Sequence, residues 1–385
     1  MEIIAKTFFG FEDVLAAEIE QLGGTNIEVG NRAVRYEGDT RLVYASNLHL
    51  RTAISVVLPI KSFEFRDQDD FSRELFNVDF KQYMNVDNTF AIKGAINTRI
   101  FSHSKYPLML VKDAVVDYFY DTVGTRPNVN VENPQIQFDV HVTDALCTLS
   151  LNSSGPSLFQ RGYRESAAPG VLNEVIAAGL ILLSKWDKKS NFIDPFCGSG
   201  TIPIEAALMA NDIPPNIVRK RYSFMNWPNY EKAIWEDISE KANRRPKRNL
   251  PFVIVGSDTN GDIILTARNN ARILPVGKSL VLEIRDYKDQ VARPGGGVLI
   301  SNLPYGRKFE EEATKEMFKS IGDFFKKQMN GYDCWLLSPD IAEMDFLGLK
   351  PSEKHRVYNG ADNCDFRKYT IFEGSLKENK MDTES

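Results

Sequence analysis

The sequence predicts an α/β protein in which an open, mostly parallel sheet with helices on both faces follows a smaller α+β region. After Arg164, short apolar stretches alternate with helical segments, which is typical of a parallel sheet covered on both sides. In the first 48 residues, elements follow one another in a strand–helix–strand–strand–helix order, which is typical of small α+β units. The apolar stretches are 191–194, 252–257, 280–284, 297–301 and 333–337.

The N-terminal region is predicted to begin with a few short elements. A helix is expected over 12–22 because Leu15, Ile19 and Leu22 recur at helical spacing, and the following Gly23-Gly24 pair ends it. The other expected elements are a strand over 2–7, a hairpin around Gly30-Asn31 and a helix over 40–48.

A second region extends from about residue 56 to residue 150. The expected elements are strands at 90–94, 135–142 and 147–151 and a helix at 106–120. The polar stretch Asn152–Pro156 then breaks the pattern, as expected at a domain edge. We therefore place domains at 1–55, 56–155 and 160–375, with a polar, disordered tail at 376–385.

Length and composition exclude several classes of protein. A chain of 385 residues with 43% hydrophobic and 26% charged residues is typical of a globular protein of two or three domains. It contains neither a signal peptide nor an apolar stretch long enough to span a bilayer, so we expect a cytoplasmic protein without a membrane partner. The four cysteines are scattered, which argues against disulfides and against a metal site.

The net charge of −5 does not by itself indicate nucleic-acid binding, but local charge does so more directly. Between 216 and 250, nine basic residues face four acidic ones. The basic residues are Arg219, Lys220, Arg221, Lys232, Lys241, Arg244, Arg245, Lys247 and Arg248. This stretch is either a solvated helix face or part of a nucleic-acid interface.

A glycine-containing loop, Asp194–Thr201, follows a predicted strand and opens a helix. Glycines at such a position let the backbone approach a ligand at the carboxyl end of a strand. The loop lacks both the third glycine of a dinucleotide fingerprint and the lysine of a phosphate-binding loop. These absences disfavour dinucleotides and nucleoside triphosphates as ligands.

Two acidic residues follow the next strands. Asp258 ends the strand over 252–257 and could accept hydrogen bonds from both hydroxyls of a ribose. Asp286 follows the strand over 280–284 and could accept a hydrogen bond from an adenine amino group. Either residue could instead be a turn residue or a helix cap. Their occurrence on successive strand ends favours a nucleoside site.

The segment Asn302-Leu303-Pro304-Tyr305-Gly306 follows the strand over 297–301. It could be a simple turn. Alternatively, the Asn302 side-chain oxygen and the Pro304 carbonyl could accept the hydrogens of an exocyclic amine on a base, while Tyr305 stacks on the base. This arrangement would favour a nitrogen with an available lone pair, so no strong base would be needed.

These segments resemble those of the THUMP-domain RNA methyltransferases, most closely the bacterial large-subunit ribosomal RNA guanine-N2 methyltransferases. The resemblance extends from Ile4 to Phe372. Its catalytic half rests on Gln160–Arg164, Asp194–Thr201, Ser257-Asp258, Asn302–Gly306 and Tyr358–Gly360. Its N-terminal half rests on Gly10–Glu12, Asn97–Arg99, Ser104–Tyr106 and Lys112–Asp117.

The resemblance implies a Rossmann-like class I methyltransferase domain preceded by a ferredoxin-like and THUMP RNA-binding region, with S-adenosylmethionine as cofactor. It implies catalysis by Asn302, Pro304 and Tyr305. It implies cofactor contacts at Asp194, Pro195, Gly198, Gly200, Thr201, Asp258, Asp286 and Asn302. For RNA contacts we expect Arg99, Lys105, Lys112, Arg161 and Arg164.

The sequence departs from the family pattern in three respects, and it also leaves other substrates and functions open. Leu303 stands where many relatives have proline, and the stretch after Ala168-Pro169 is less regular than usual. Some relatives carry a second methyltransferase domain, whereas this sequence, which ends at Ser385, predicts a single one. Transfer RNA and DNA adenine are alternative substrates, and a non-catalytic RNA-binding protein is a third interpretation.

Overall fold

The computed structural model describes residues 1–164, 171–244, 250–303, 311–339, 342–360 and 362–371. The chain divides into two compact units. The first contains Met1–Thr7, Leu15–Gln160 and Arg219–Asn243, and the second contains Phe8–Val14, Arg161–Val218 and Arg244–Ser385. The segment Arg219–Asn243 thus packs with the N-terminal unit, although in sequence it interrupts the C-terminal one. The predicted tail at 376–385 lies outside the described residues.

The N-terminal part of the chain forms seven strands and four helices among its described residues. They are β1 (Glu2–Lys6), α1 (Glu12–Leu22), β2 (Thr25–Gly30), β3 (Ala33–Glu37), α2 (Thr40–His49), β4 (Ser55–Glu64), α3 (Gln68–Phe76), β5 (Phe90–Asn97), α4 (Tyr106–Val123), β6 (Ile136–Thr143) and β7 (Leu146–Asn152). The strands form one sheet in the order β2-β3-β1-β4-β7-β6-β5. Neighbouring strands are antiparallel except β5 and β6, which are parallel.

The C-terminal part supplies the second sheet. Its elements are α5 (Glu174–Leu183), β8 (Asn191–Asp194), α6 (Thr201–Ala210), α7 (Lys232–Asn243), β9 (Ile254–Asp258), α8 (Gly261–Arg272), β10 (Leu280–Ile284), β11 (Gly297–Asn302), α9 (Glu311–Gln328), β12 (Tyr332–Pro339), β13 (Glu353–Asn359) and β14 (Asp362–Thr370). Of these, α7 belongs to the first unit.

The second sheet has the strand order β10-β9-β8-β11-β12-β14-β13. The five strands from β10 to β12 are parallel, whereas β14 is antiparallel to both β12 and β13. This confirms the predicted α/β class with a mostly parallel sheet. The chain winds outward in opposite directions from β8 and from β11, so the crevice between these strands is a topological switch point, where open α/β sheets bind ligands.

The core of the second unit explains why two of its helices, α5 and α6, are so apolar. Every residue of α6 is buried, and all but two residues of α5 are buried. Gly179 on α5 allows the ring of Phe11 to approach, because a Cβ atom at position 179 would lie 2.5 Å from a ring carbon. Burial on this scale is the main favourable contribution to stability in such a layer.

No helix among the described residues is both long and apolar enough to cross a membrane. Within the same ranges, no group of three or more His, Cys, Asp or Glu side chains is arranged to hold a metal ion. All four cysteines lie within the described ranges, where they are buried and form no disulfide.

Candidate functional site

The glycine loop connects β8 to α6. Gly198 and Gly200 have φ angles of +52° and +84°, values that residues other than glycine rarely adopt. Gly200 caps the N-terminus of α6, and a Cβ atom on it would lie 3.0 Å from the Cβ of Ala267. By contrast, a Cβ atom on Gly198 would point into open space. The loop therefore needs glycine at position 200 for close packing against Ala267. At position 198, the absence of a side chain leaves the backbone accessible to a ligand.

Asp194 ends β8 and is only 1% exposed. Its Oδ1 accepts hydrogen bonds from the Ser301 hydroxyl at 2.5 Å and from the Phe196 amide at 3.2 Å. Burial raises the pKa of Asp194 to about 7, although both hydrogen bonds act in the opposite direction. The site therefore holds a carboxyl group whose charge lacks solvation and would be stabilised by a cationic ligand.

Asp258 is the last residue of β9, and Asp286 follows β10, as predicted. Asp258 accepts hydrogen bonds from the Gly198 amide at 3.2 Å and from the Asn260 amide at 2.9 Å, so it connects the end of β9 to the glycine loop. Asp286 is half-buried and accepts a hydrogen bond from the Lys288 amide at 2.9 Å. The first contact gives Asp258 a direct link to the loop, whereas Asp286 caps a short turn.

Asn302 is the last residue of β11, which pairs with β8. Its side-chain oxygen is buried and has no hydrogen-bond partner among the described residues. A buried amide oxygen without a hydrogen-bond partner is less stable than one exposed to water. Such an atom therefore suggests a site completed by a ligand. Pro304 and Tyr305, predicted beside it, lie outside the described residues.

A cavity of about 320 Å³ joins these features. Its lining residues are Val171, Leu172, Asp194, Phe196, Cys197, Gly198, Ser199, Thr201, Ile202, Ile263, Thr266 and Asn302. The structure thus brings together four of the predicted site residues: Asp194, Gly198, Thr201 and Asn302. It does not bring Pro195, Gly200, Asp258 or Asp286 to the cavity surface, although Asp258 bonds to the lining residue Gly198. Their cofactor contacts remain predictions.

Several lining residues were not identified from the sequence. Ser199 has a buried hydroxyl without a partner among the described residues, like Asn302 Oδ1. Ile263 and Thr266 lie three residues apart on α8, a spacing that places side chains on one face of a helix. That spacing was visible in the sequence, but nothing indicated which face of α8 the site would use.

Arg161 and Arg164 do not face solvent as expected for RNA contacts. Arg161 is 1% exposed, and its Nε lies 3.5 Å from Oε1 of Glu205, which also accepts a hydrogen bond from Tyr163. Arg164 pairs with Glu174 at 3.1 Å and is largely buried. Both guanidinium groups are held by acidic partners inside the second unit, and their RNA contacts stay predictions. The Arg-Gly-Tyr-Arg motif anchors the chain to α5 and α6.

The remaining predicted RNA contacts lie in the first unit. Arg99 and Lys105 are exposed, and Lys112 pairs with Asp113 at 2.6 Å. Within the basic stretch, Arg219 donates hydrogen bonds to four backbone carbonyls between 154 and 160 and lies over the ring of Tyr222. Arg219 therefore has a structural role, whereas Lys220 and Arg221 are exposed.

Comparison with known protein families gives three matches along the chain. Residues 2–57 match a ferredoxin-like domain of the RlmL type, and residues 65–152 match the THUMP domain. Residues 161–368 match the RMKL-like methyltransferase domain, which covers more than half of the chain.

Similar proteins include the ribosomal RNA large subunit methyltransferase K/L of Shewanella frigidimarina, which is 33% identical over 377 residues. That match covers 96% of this chain and 52% of the relative. A protein of the same name from Shewanella baltica strain OS195 is 32% identical over 373 residues, with 96% of this chain and 53% of the relative covered. This chain therefore spans about half the length of the curated relatives it matches.

Solved structures resemble the whole chain. SMU.472, whose structure is a complex with SAH, has a TM-score of 0.85 at 26% identity, with 97% of this chain and 99% of that one covered. A Listeria monocytogenes protein described as a predicted N6-adenine-specific DNA methylase has a TM-score of 0.86 at 26% identity, with 96% of each chain covered. The family match, the relatives and the strand order agree with the resemblance found in the sequence. The chain belongs to the RMKL-like methyltransferase family.

Proposed function

We propose that the chain transfers a methyl group from S-adenosylmethionine to the exocyclic N2 of a guanine in RNA, and that this RNA is the large-subunit ribosomal RNA. The observation that carries the proposal is the unpartnered, buried Asn302 Oδ1, which lines the same cavity as the glycine loop. The names of the similar ribosomal RNA methyltransferases support the substrate, and the complex of SMU.472 with SAH supports the cofactor.

The residues of the cavity fit this cofactor. S-adenosylmethionine supplies a methyl group on a cationic sulfur, together with a charged ammonium and a nucleoside. Asp194 offers a buried carboxyl group to a cation, the backbone at Gly198 is accessible, and the Ser199 hydroxyl lacks a partner among the described residues. Asp258 and Asp286 stay candidate ligands of the ribose and the adenine.

Asn302 would act on the second substrate. An exocyclic amine is a poor nucleophile because its lone pair is delocalised into the ring. When Asn302 Oδ1 accepts one of its hydrogens, the lone pair is favoured on the nitrogen, and alignment supplies much of the rate. By resemblance to the family, the Pro304 carbonyl would accept the other hydrogen and Tyr305 would stack on the base.

The THUMP region would bind the RNA, and the protein would act in the cytoplasm. The functional domains would be 1–55, 56–155 and 160–375. Arg99 and Lys105 are exposed and suitable for phosphate contacts, and Lys112 could exchange Asp113 for a phosphate.

The test is incubation of the protein with labelled S-adenosylmethionine and undermethylated 23S ribosomal RNA, followed by nucleoside analysis. We expect label in N2-methylguanosine. Parallel reactions with transfer RNA and with DNA distinguish the alternatives, since the Listeria protein's description names DNA adenine. Label only in N6-methyladenine of DNA would overturn the RNA assignment, and absence of cofactor binding at millimolar concentration would favour a non-catalytic RNA-binding protein.

A concavity in the first unit gives a specific prediction for RNA binding. It has a volume of about 340 Å³ and is lined by Asn133–Gln135, Gly155-Pro156 and residues 221–226 except Phe224. Arg221 is exposed, and no described residue forms an ion pair with it. We expect Arg221→Ala to weaken ribosomal RNA binding several-fold and to reduce the slope of log K against log salt by about one.

The matched control is Arg126→Ala, which removes an exposed arginine of the same unit that lies over Tyr120. Filter binding at several salt concentrations gives both affinities and slopes. Equal effects of the two substitutions would mean that Arg221 contributes only net charge.

A further inference from the structure

One guanidinium group connects two walls of the cofactor cavity. Nη2 of Arg164 lies 3.1 Å from Oε1 of Glu174, 3.0 Å from Oγ1 of Thr201 and 3.3 Å from the carbonyl oxygen of Leu172. Glu174 is in the first turn of α5, and Thr201 is the first residue of α6. Leu172 and Thr201 both line the cavity, whereas Arg164 and Glu174 lie behind it.

These contacts are shielded from water. The side chains of Arg164 and Glu174 are 16% and 6% exposed. Burial raises the pKa of Glu174, and the charge of Arg164 opposes that increase. A pair this well shielded is screened weakly, so it holds its geometry better than a surface ion pair does.

A second ion pair lies nearby and provides a comparison. Arg161 and Glu205 are fully buried, and the Tyr163 hydroxyl donates to Glu205 at 3.2 Å. Neither Arg161 nor Glu205 lines the cavity. The two pairs share residue types and burial, and the Arg164 guanidinium group bonds directly to two lining residues, Leu172 and Thr201.

From this geometry we infer that Arg164, held by Glu174, is a positioning residue that sets the spacing between the Leu172 wall and the Thr201 wall and thereby the affinity for S-adenosylmethionine. The inference rests on the proposed function. It assigns to Arg164 a role in cofactor binding in place of the RNA contact expected from the sequence. Arginine is suited to it because its planar group places Nη2, which makes all three contacts, at a fixed position, whereas a lysine ammonium on a flexible chain is held less rigidly.

The first test is Arg164→Lys, which keeps the charge and removes the planar group. We expect the Kd for SAH, measured by isothermal titration calorimetry, to rise about tenfold, because small displacements of a binding wall have large effects. The KM for S-adenosylmethionine should rise by a similar factor while kcat stays within about twofold. The controls are Arg161→Lys and Tyr163→Phe, which should lower Tm without changing the Kd of the folded protein.

A double-mutant cycle then tests the coupling between Arg164 and Glu174. Glu174→Gln weakens the contact that holds Arg164 to α5, and Glu174 does not line the cavity, so if it acts through Arg164 the double variant should bind SAH no more weakly than Arg164→Lys alone. An unchanged Kd for Arg164→Lys, with a Tm decrease like that of the controls, would show that the ion pair is only structural. If the wild-type protein failed to bind SAH, the proposed function and this inference would both be refuted.

Discussion

Replacing Asn302 with alanine is expected to lower kcat by about 10²–10³-fold, the effect typical of removing one preorganised hydrogen-bonding group from an active site. The Kd for SAH should change by less than about fivefold, because Asn302 is only one of the residues that line the cavity. The physical reason is that Asn302 Oδ1 has no partner among the described residues and gains one when the amine binds. Single-turnover kinetics with undermethylated 23S ribosomal RNA measures the effect on chemistry.

The matched variant is Asn302→Asp, which has nearly the same shape and keeps oxygen acceptors. We expect it to retain more activity than Asn302→Ala, since a carboxylate also accepts hydrogen bonds from an amine. Equal losses in the two variants would argue against the acceptor role. A large increase in the Kd for SAH with unchanged single-turnover rates would instead assign Asn302 to cofactor binding alone.

The parallel part of the second sheet was predictable because its signals are local. The bounds of β8 and β10 were predicted to the residue, since each is a short apolar run between turn residues. The strands β13 and β14 were not predicted. Their sequences, EKHRVYN and DNCDFRKYT, are rich in polar and charged residues, and their pairing depends on β12 rather than on their own composition.

The candidate site was predicted where it depends on strand ends and missed where it depends on tertiary partners. Asp194 and Asn302 are the last residues of two strands, β8 and β11, that are neighbours in the sheet, so topology alone brings them together. The burial of Arg161 could not be predicted, because its partner Glu205 is 44 positions away on a helix whose packing no local pattern specifies. For the same reason, the packing of Arg219–Asn243 with the first unit was not visible.

Replacing Asp194 with asparagine is expected to abolish detectable cofactor binding while raising the stability of the second unit. In the folded protein the pKa of Asp194 is raised from 3.8 to about 7, so between these values the folded chain holds a proton that the unfolded chain releases. Stability is therefore lost as the pH rises from about 4 to 7 and stays lower above 7. Asparagine removes this penalty, which could reach about 4 kcal/mol at pH 8.

Two measurements check the stability effect. Thermal unfolding should show a Tm higher by several degrees for Asp194→Asn at pH 8 and a much smaller difference at pH 4. Asp289→Asn, the same substitution at an exposed residue, is the control and should change neither Tm nor cofactor binding. A lower Tm for Asp194→Asn at pH 8 would mean that the Ser301 and Phe196 hydrogen bonds outweigh the cost of burying the charge.

The same pKa predicts how cofactor affinity depends on pH. We expect that Asp194 must be ionised to bind a cationic ligand. With a pKa of about 7, about nine-tenths of Asp194 is protonated at pH 6 and only about one-tenth at pH 8. Calorimetric titration with S-adenosylmethionine should therefore give roughly tenfold weaker binding at pH 6 than at pH 8. The sulfonium charge does not titrate, and loss of a proton from the cofactor's ammonium group near pH 8 would weaken binding there, so binding that strengthens from pH 6 to pH 8 would arise from the protein. An affinity independent of pH over this range would show that the Asp194 carboxylate does not pair with the charge of the ligand. The burial of Asp194 would then serve only the packing of β8 against β11.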